Sequence, residues 1–238
     1  MLRGYFITGT DTGCGKTEIT LGLMRVFQKM GYSVLGMKPV ASGAFRTSVG
    51  LRNDDALKIQ RQGSAVADYD HINPFVFEPP IAPHLAAAEA GCIISVAKIV
   101  EIFERLHIQS DLVIVEGVGG WCVPLSQEHG VEDLARALGL PVILVVGLRL
   151  GCINHALLSA RAIIHSGCRL AGWVANCLDP GMLAQERNLD TLERLLPSPL
   201  LGVVSWMGDR PAPELIASKL SIAQMGEDNI PSPLAIKR

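Results

Sequence analysis

The sequence is poor in charged and aromatic residues and has no excess of basic ones. Of its 238 residues, 18% are charged and 5% are aromatic. The 21 Lys and Arg face 23 Asp and Glu, a formal net charge of −2, so the chain carries no electrostatic footprint for nucleic acid. A hydrophobic fraction of 49% excludes a mostly disordered chain.

Long apolar runs are also absent, although the mean hydropathy is +0.32. The longest run, Leu140–Leu148, includes a proline and a glycine and stops at Arg149. A membrane-spanning helix needs about 20 apolar residues, so we expect no membrane partner and a large internal core. The sequence has no C-x-x-C pair, no His at metal-ligand spacing and no N-terminal signal-peptide core. We therefore expect a cytoplasmic protein whose cysteines stay reduced.

What the sequence does contain is a regular alternation of short apolar runs and helix-length amphipathic stretches. The apolar runs show no polar alternation, which is typical of parallel strands covered on both faces. The predicted strands are Tyr5–Thr8, Val34–Met37, Leu112–Val115, Val142–Val146, Ala171–Ala175 and Leu200–Val204. The predicted helices are Lys16–Met30, Asp54–Gln62, Ser95–Leu106, Val131–Leu138, Asn154–His165 and Ala184–Leu196.

This order predicts an α/β fold with a doubly wound, mostly parallel sheet and helices on both faces. No repeat or long linker divides the chain, so we expect one domain over residues 1–238, with 226–238 as a flexible tail. The region from Pro39 to Pro83 is the least regular. Ligands of such sheets bind beyond the carboxyl ends of the strands, and polar residues there are the first candidates for a site.

A glycine-rich loop follows the first predicted strand directly and runs into a helix as Gly9-Thr10-Asp11-Thr12-Gly13-Cys14-Gly15-Lys16-Thr17. Glycines let backbone N–H groups wrap phosphate oxygens, and the helix N-terminus adds partial positive charge. Lys16 would reach the β- and γ-phosphates and Thr17 would offer a hydroxyl to Mg²⁺. Five residues separate Gly9 from Gly15 where the common P-loop has four. A plain connecting turn is disfavoured by this placement, and the loop predicts nucleoside triphosphate binding.

Two further charged residues end predicted strands. Glu116 follows Leu112–Val115 at the carboxyl end and is the candidate metal carboxylate, whereas Asp111 starts that strand at the opposite edge. The glycine-rich turn after Glu116 suits close approach of backbone to a ligand. Lys38 ends the second strand, where a second cation would neutralise charge on a transferred phosphate, although a solvated lysine is an equally good interpretation.

Other polar positions are less informative by themselves. Asp54 and Asp55 open a predicted helix, where carboxylates are ordinary N-terminal stabilisers. Asn176 ends a strand, and an amide there has the donor and acceptor to read a base edge.

Taken together, these segments resemble dethiobiotin synthetases, the ATP-dependent cyclo-ligases of biotin synthesis. The matching pieces run in order and are residues 9–17, 36–43 (GMKPVASG), 52–56 (RNDDA), 73–74 (NP), 82–84 (APH), 116–121 (EGVGGW), 150–155 (LGCINH) and 173–176 (WVAN). The five-residue spacing of the P-loop is the variant of that family. Gly13 stands where some relatives carry Glu, and Ser205 where proline is usual.

The resemblance implies that the chain binds 7,8-diaminopelargonate, CO₂ (or bicarbonate) and ATP with Mg²⁺ as a homodimer, with the substrate site at the interface. It implies catalytic roles for Lys38, Lys16 and Thr12, and metal ligation by Thr17, Asp55 and Glu116. The residues implied for ATP are Gly13, Cys14, Gly15, Lys16, Thr17, Glu18, Asp55, Glu116, Gly117, Val118, Gly119, Asn176, Cys177, Ser205, Trp206 and Met207. Those implied for the diamine are Ser42, Pro83, Leu150, Gly151, Cys152 and Asn154, with the 150–154 segment reaching across to the partner subunit.

Three alternatives were weighed against this interpretation. A partitioning-type regulatory ATPase would carry an extra lysine early in the P-loop, where this chain has Asp11. A cobyrinate-type amidoligase would need a following glutaminase domain, and this sequence ends at residue 238. A non-catalytic nucleotide-binding protein would not need the metal carboxylates.

Overall fold

The fold is seen in a computed structural model, which describes residues 3–208 and 211–225. The strands are β1 (Gly4–Gly9), β2 (Val34–Met37), β3 (Val40–Ala41), β4 (Phe45–Thr47), β5 (Gly50–Arg52), β6 (Phe75–Val76), β7 (Leu112–Glu116), β8 (Val142–Leu148), β9 (Leu170–Cys177) and β10 (Leu200–Val204). The helices are α1 (Lys16–Lys29), α2 (Asp54–Gln62), α3 (Tyr69–Ile72), α4 (Pro83–Glu89), α5 (Val96–Ile108), α6 (Val131–Leu138), α7 (Cys152–His165), α8 (Gln185–Leu195) and α9 (Pro213–Ala217).

Six strands form one sheet in the order β10-β9-β8-β1-β7-β2. Every pairing between them is parallel. All residues of β1, β2, β7 and β8 are buried, as runs without polar alternation require when helices cover both faces. The predicted doubly wound α/β fold and its six strands are therefore confirmed.

The short elements between residues 39 and 83 are the main addition to the predicted arrangement. Here the chain forms a two-stranded parallel ladder of β3 with β6 and an antiparallel hairpin of β4 with β5. Helix α7 begins at Cys152, two residues before the predicted start, because Gly151 adopts a left-handed N-cap conformation with φ 95°. The predicted tail 226–238 lies outside the described residues.

Topology places the glycine-rich loop at the centre of the sheet edge. β1 pairs with β7 on one side and β8 on the other, so the loop leaving Gly9 is flanked by the carboxyl ends of both neighbours. β2 pairs with β7 on its far side, which brings the end of β2 to the same edge. In the part of the chain that the structure describes, no helix has the length and apolar character needed to cross a membrane.

Candidate active site

The glycine-rich loop is held between β8, β9 and its own lysine. Thr10 N donates to Val145 O at 2.9 Å, and Asn176 Nδ2 donates to Cys14 O at 2.9 Å. Lys16, only 7% exposed, donates to Asp11 O at 2.9 Å. Gly15 has φ 90° as the N-cap of α1, a conformation that favours glycine. The loop is thus preformed, with the positive end of α1 facing the cavity.

A buried cluster of ionic and hydroxyl groups lies beside the loop, around Glu116. Lys38 Nζ contacts Glu116 Oε1 at 2.5 Å and Asp55 Oδ2 at 3.8 Å. Thr17 Oγ1 donates to the same Glu116 oxygen at 2.9 Å. Glu116 is 1% exposed and Lys38 6%. Four residues from β2, α1, α2 and β7 therefore converge, joining groups as far apart in sequence as Thr17 and Glu116.

The lysine of this cluster stays charged. Burial lowers the pKa of Lys38, but the carboxylates of Glu116 and Asp55 raise it, and the net pKa lies above its usual value. An ammonium held beside a phosphate-binding loop is suited to stabilising negative charge on a transferred phosphoryl group.

The carboxylate oxygens fit a hard divalent cation. Glu116 Oε2 is buried and has no hydrogen-bond partner among the described residues. With the Thr17 hydroxyl and the Asp55 carboxylate it makes a donor set of oxygens only, which suits Mg²⁺. Within residues 3–208 and 211–225 no three His, Cys, Asp or Glu side chains cluster as a metal cage. A Mg²⁺ held here would therefore take further ligands from phosphate and water, as it usually does.

These groups line a cavity of about 740 Å³. The sequence-predicted residues that it brings together are Thr12, Gly13, Gly15, Lys16, Thr17, Glu18, Lys38, Ser42, Asp55, Pro83, Glu116, Val118 and Gly119. The nucleotide candidates thus share one space with Ser42 and Pro83, the positions that the family resemblance links to the diamine.

The remaining predicted residues lie elsewhere in the described structure. Cys14 is buried beneath the loop, and Gly117 follows β7 against Phe6. Asn176 and Cys177 end β9, where the Asn176 amide is engaged with the loop. The segment Ser205, Trp206 and Met207 follows β10, two strands further out.

The segment implied for the diamine carboxylate begins after β8 and opens α7. Leu150 is 97% exposed, and Gly151 and Asn154 are also exposed, whereas Cys152 is buried. None of these four is among the described residues that line the cavity. Within one chain the segment therefore faces outward.

A larger cavity of about 1020 Å³ lies between α4, α5 and residues 125–129, with a mostly apolar lining. It contains none of the phosphate-binding or metal candidates. The smaller cavity holds the ionic cluster and the preformed loop, so we assign the candidate active site to it.

Sequence reasoning missed a buried polar chain that supports Lys38 and Asp55. Asn73 Nδ2 donates to Lys38 O at 2.7 Å, and Tyr69 OH donates to Asn73 Oδ1 at 3.0 Å. Asn53 N donates to the Tyr69 hydroxyl at 2.8 Å, and Asn53 Oδ1 caps α2 through Ala56 N. The chain therefore ties the end of β2 to the helix that carries Asp55. A buried Asn before Pro74 was its only sequence signal.

Replacing Asn73 with alanine is expected to reduce stability by about 1–3 kcal/mol, because the Lys38 carbonyl and the Tyr69 hydroxyl lose their buried partner. Turnover should fall with it, since the Lys38 backbone is less well placed. Urea unfolding with and without nucleotide measures the first effect. Asn188→Ala, which removes an exposed bond to Ala184 O, is the control and should change stability by less than about 0.5 kcal/mol. Equal stability of the two variants would contradict a supporting role for Asn73.

Comparison with curated proteins gives a consistent result. The chain is 50% identical over 226 residues to the ATP-dependent dethiobiotin synthetase BioD of Pseudomonas paraeruginosa, covering 94% of this chain and 99% of that protein. The enzyme of the same name from Aromatoleum aromaticum is 48% identical, covering 91% and 96%. ATP-dependent dethiobiotin synthetase BioD 1 of Salmonella typhi is 43% identical, covering 94% and 99%.

Solved structures agree on the fold. The septum site-determining protein MinD with Mg-ADP from Pyrococcus horikoshii matches with a TM-score of 0.55 at 16% identity, covering 93% of this chain and 88% of that one. The MinC:MinD complex of Aquifex aeolicus gives 0.54 at 17% identity, covering 91% and 86%. At such identities the likeness concerns fold alone. A family model described as an AAA domain matches residues 3–213. With relatives this similar over nearly its full length, the chain belongs to the dethiobiotin synthetase family.

Proposed function

We propose that this protein catalyses the ATP-dependent carboxylation and ring closure of 7,8-diaminopelargonate with CO₂, giving dethiobiotin, ADP and phosphate. One observation carries the proposal: Lys16, Lys38 and the Glu116 cluster share one cavity with Ser42 and Pro83. The names of the relatives support the same activity. We also propose that residues 1–238 act as one cyclo-ligase domain, since the described elements share one hydrophobic core.

The reaction needs cations because both partners are anionic. One amine of the diamine and CO₂ form a carbamate with release of a proton. A carbamate oxygen then attacks the γ-phosphorus, and the bond to ADP breaks, which leaves a carbamic–phosphoric mixed anhydride. Lys16 and Lys38, both buried at this site, would reduce the repulsion between the two anions.

Ring closure requires orientation more than further catalysis. The second amine attacks the anhydride carbonyl, phosphate leaves with its electron pair, and the amine loses a proton. Ser42 and Pro83 line the cavity opposite the phosphate-binding loop, and they would hold the diamine so that its second amine stays near the carbonyl. Thr12, at the mouth of the loop, would contact the transferred group.

Thr17, Asp55 and Glu116 would hold Mg²⁺, with the free Glu116 Oε2 as the most available ligand. When bound, the ion supplies charge neutralisation on the phosphate oxygens. Glu18, Gly13, Gly15, Val118 and Gly119 line the nucleotide side of the cavity. We place the adenine against Asn176, Cys177 and residues 205–207, at the ends of β9 and β10.

We infer that the enzyme is a homodimer in which Leu150, Gly151, Cys152 and Asn154 complete the partner's diamine site. Support comes from apolar side chains that one chain leaves exposed on and before α7, namely Leu150, Leu158 and Ile164. Their outward position explains how these residues can serve a site whose cavity, in their own chain, they do not line. All six cysteines are free, which suits the reducing cytoplasm that we propose as its compartment.

The test is an incubation of the protein with 7,8-diaminopelargonate, bicarbonate and MgATP, followed by phosphate release and mass spectrometry of the product. We expect phosphate release to depend on the diamine and to match ureido-ring formation one for one. An analogue that lacks the second amine should give no ring. Phosphate release that ignores the diamine would contradict the proposal and favour a regulatory ATPase of the partitioning type.

A further inference from the structure

The end of β8 is bound to the nucleotide loop more extensively than strand pairing requires. Beyond the bond from Thr10 N to Val145 O, Gly147 N donates to Thr10 Oγ1 at 3.3 Å. Two residues later the Arg149 guanidinium forms an ion pair with the Asp11 carboxylate. These contacts join positions 138 residues apart, and the strand has already ended at Leu148.

Asp11 is tied to the phosphate-binding machinery through two other atoms. Its Oδ1 accepts from Thr12 N at 2.7 Å. Its carbonyl oxygen accepts from Lys16 Nζ at 2.9 Å. Lys16 is the cation expected to turn toward phosphate when nucleotide binds, so Asp11 is a residue whose surroundings change with nucleotide occupancy.

Arg149 is tied to the other side. Its carbonyl oxygen accepts from Cys152 N at 2.9 Å, closing the turn that opens α7. The turn presents Leu150 with almost its whole side chain exposed, and Gly151 in its left-handed conformation. The guanidinium, 44% exposed, therefore braces a short protruding turn against the nucleotide loop.

From this arrangement we infer that Asp11 and Arg149 form a positioning pair, which links the nucleotide loop of one subunit to the diamine site of its partner by orienting the 150–154 turn. The inference rests on the proposed function and its dimer. Neither residue touches the diamine in this role; both act through the turn. A pair this exposed has a modest energy, so the expected change in the diamine KM is about fivefold.

Single variants define the pair. Arg149→Met and Asp11→Asn should each raise the KM for the diamine about fivefold, and the double variant should be no worse than either one, because only one interaction is lost. Arg149→Lys keeps the charge and should restore most of the effect. Arg105→Met, which breaks the exposed pair with Glu101 on α5, should leave the KM unchanged.

Hybrid dimers decide which site the pair serves. Two tags allow purification of a wild-type subunit paired with a Lys38→Ala/Arg149→Met subunit, in which the only active site uses the altered turn. This hybrid should show the raised diamine KM. A Lys38→Ala subunit paired with an Arg149→Met subunit has an intact turn at its only active site and should show the normal diamine KM.

The reverse pattern, or an unchanged diamine KM in both hybrids, would overturn the positioning role. A change confined to the KM for ATP would also overturn it, because the pair would then serve only its own loop. Failure of the proposed function is distinguishable, since the wild-type dimer would then release no phosphate in response to the diamine.

Discussion

Replacing Lys38 with alanine should reduce the rate of dethiobiotin formation about 1000-fold while leaving ATP binding nearly intact. Lys38 lies against Glu116 and Asp55 in the cavity, whereas the loop and Lys16 that would bind the phosphates do not depend on it. Steady-state turnover and nucleotide titration by calorimetry measure the two effects separately. Lys29→Ala, at the exposed end of α1, is the matched control. Turnover within about threefold of wild type would contradict the role assigned to Lys38.

The same variant should also lose stability in the absence of nucleotide. Lys38 is the partner of a carboxylate that is 1% exposed, and removing one member of a buried pair costs about 3–5 kcal/mol. Mg²⁺ with ADP should restore much of that loss, because an ion at Glu116 would replace the missing positive charge. Thermal unfolding with and without MgADP gives the comparison, and Lys38→Met shows how much of the loss is packing. A Mg²⁺ response no larger than that of wild type would contradict metal binding at Glu116.

Replacing Gly15 with alanine is expected to weaken ATP binding about 30-fold or more, from backbone strain together with a lost hydrogen bond. The residue has φ 90°, and a Cβ there would lie 2.0 Å from Asn176 Nδ2. The amide would have to move and give up its bond to Cys14 O, which holds the loop. Nucleotide titration measures the loss.

Gly13 provides the control for backbone strain alone. It has φ 76°, but a Cβ there would meet no atom within 4 Å. Gly13→Ala should therefore weaken ATP binding only about tenfold or less, the part due to the left-handed conformation. If the two alanine variants bind ATP equally well, Asn176 does not hold the loop in the way that the structure indicates.

Much of the sheet could be predicted because its signals are local. A strand covered on both faces shows as an uninterrupted apolar run, as in Leu112–Glu116 and Val142–Leu148. The parallel arrangement then brings the residues that end strands to one edge. For this reason Lys38, Glu116 and the glycine-rich loop, named from separate segments, meet in one cavity.

The region from Pro39 to Pro83 resisted prediction for the opposite reason. β3 and β6 have two residues each and pair across more than 30 positions, so no local periodicity marks them. Asp55 illustrates the consequence for the site. At the start of α2 its residue type indicates only helix stabilisation, and its approach to Lys38 depends on the chain from Asn53 through Tyr69 to Asn73.

The low charge content and the absence of long apolar runs already determined that this chain buries a large two-faced core, and its glycine-rich loop determined that phosphate is bound at the end of β1. Such properties follow from residue type and short-range spacing. Only the tertiary structure decided which charges face one another: Lys38 with Glu116, Asn176 with the loop, and Arg149 with Asp11. These contacts join distant segments through sheet order, and no pattern within one segment encodes them.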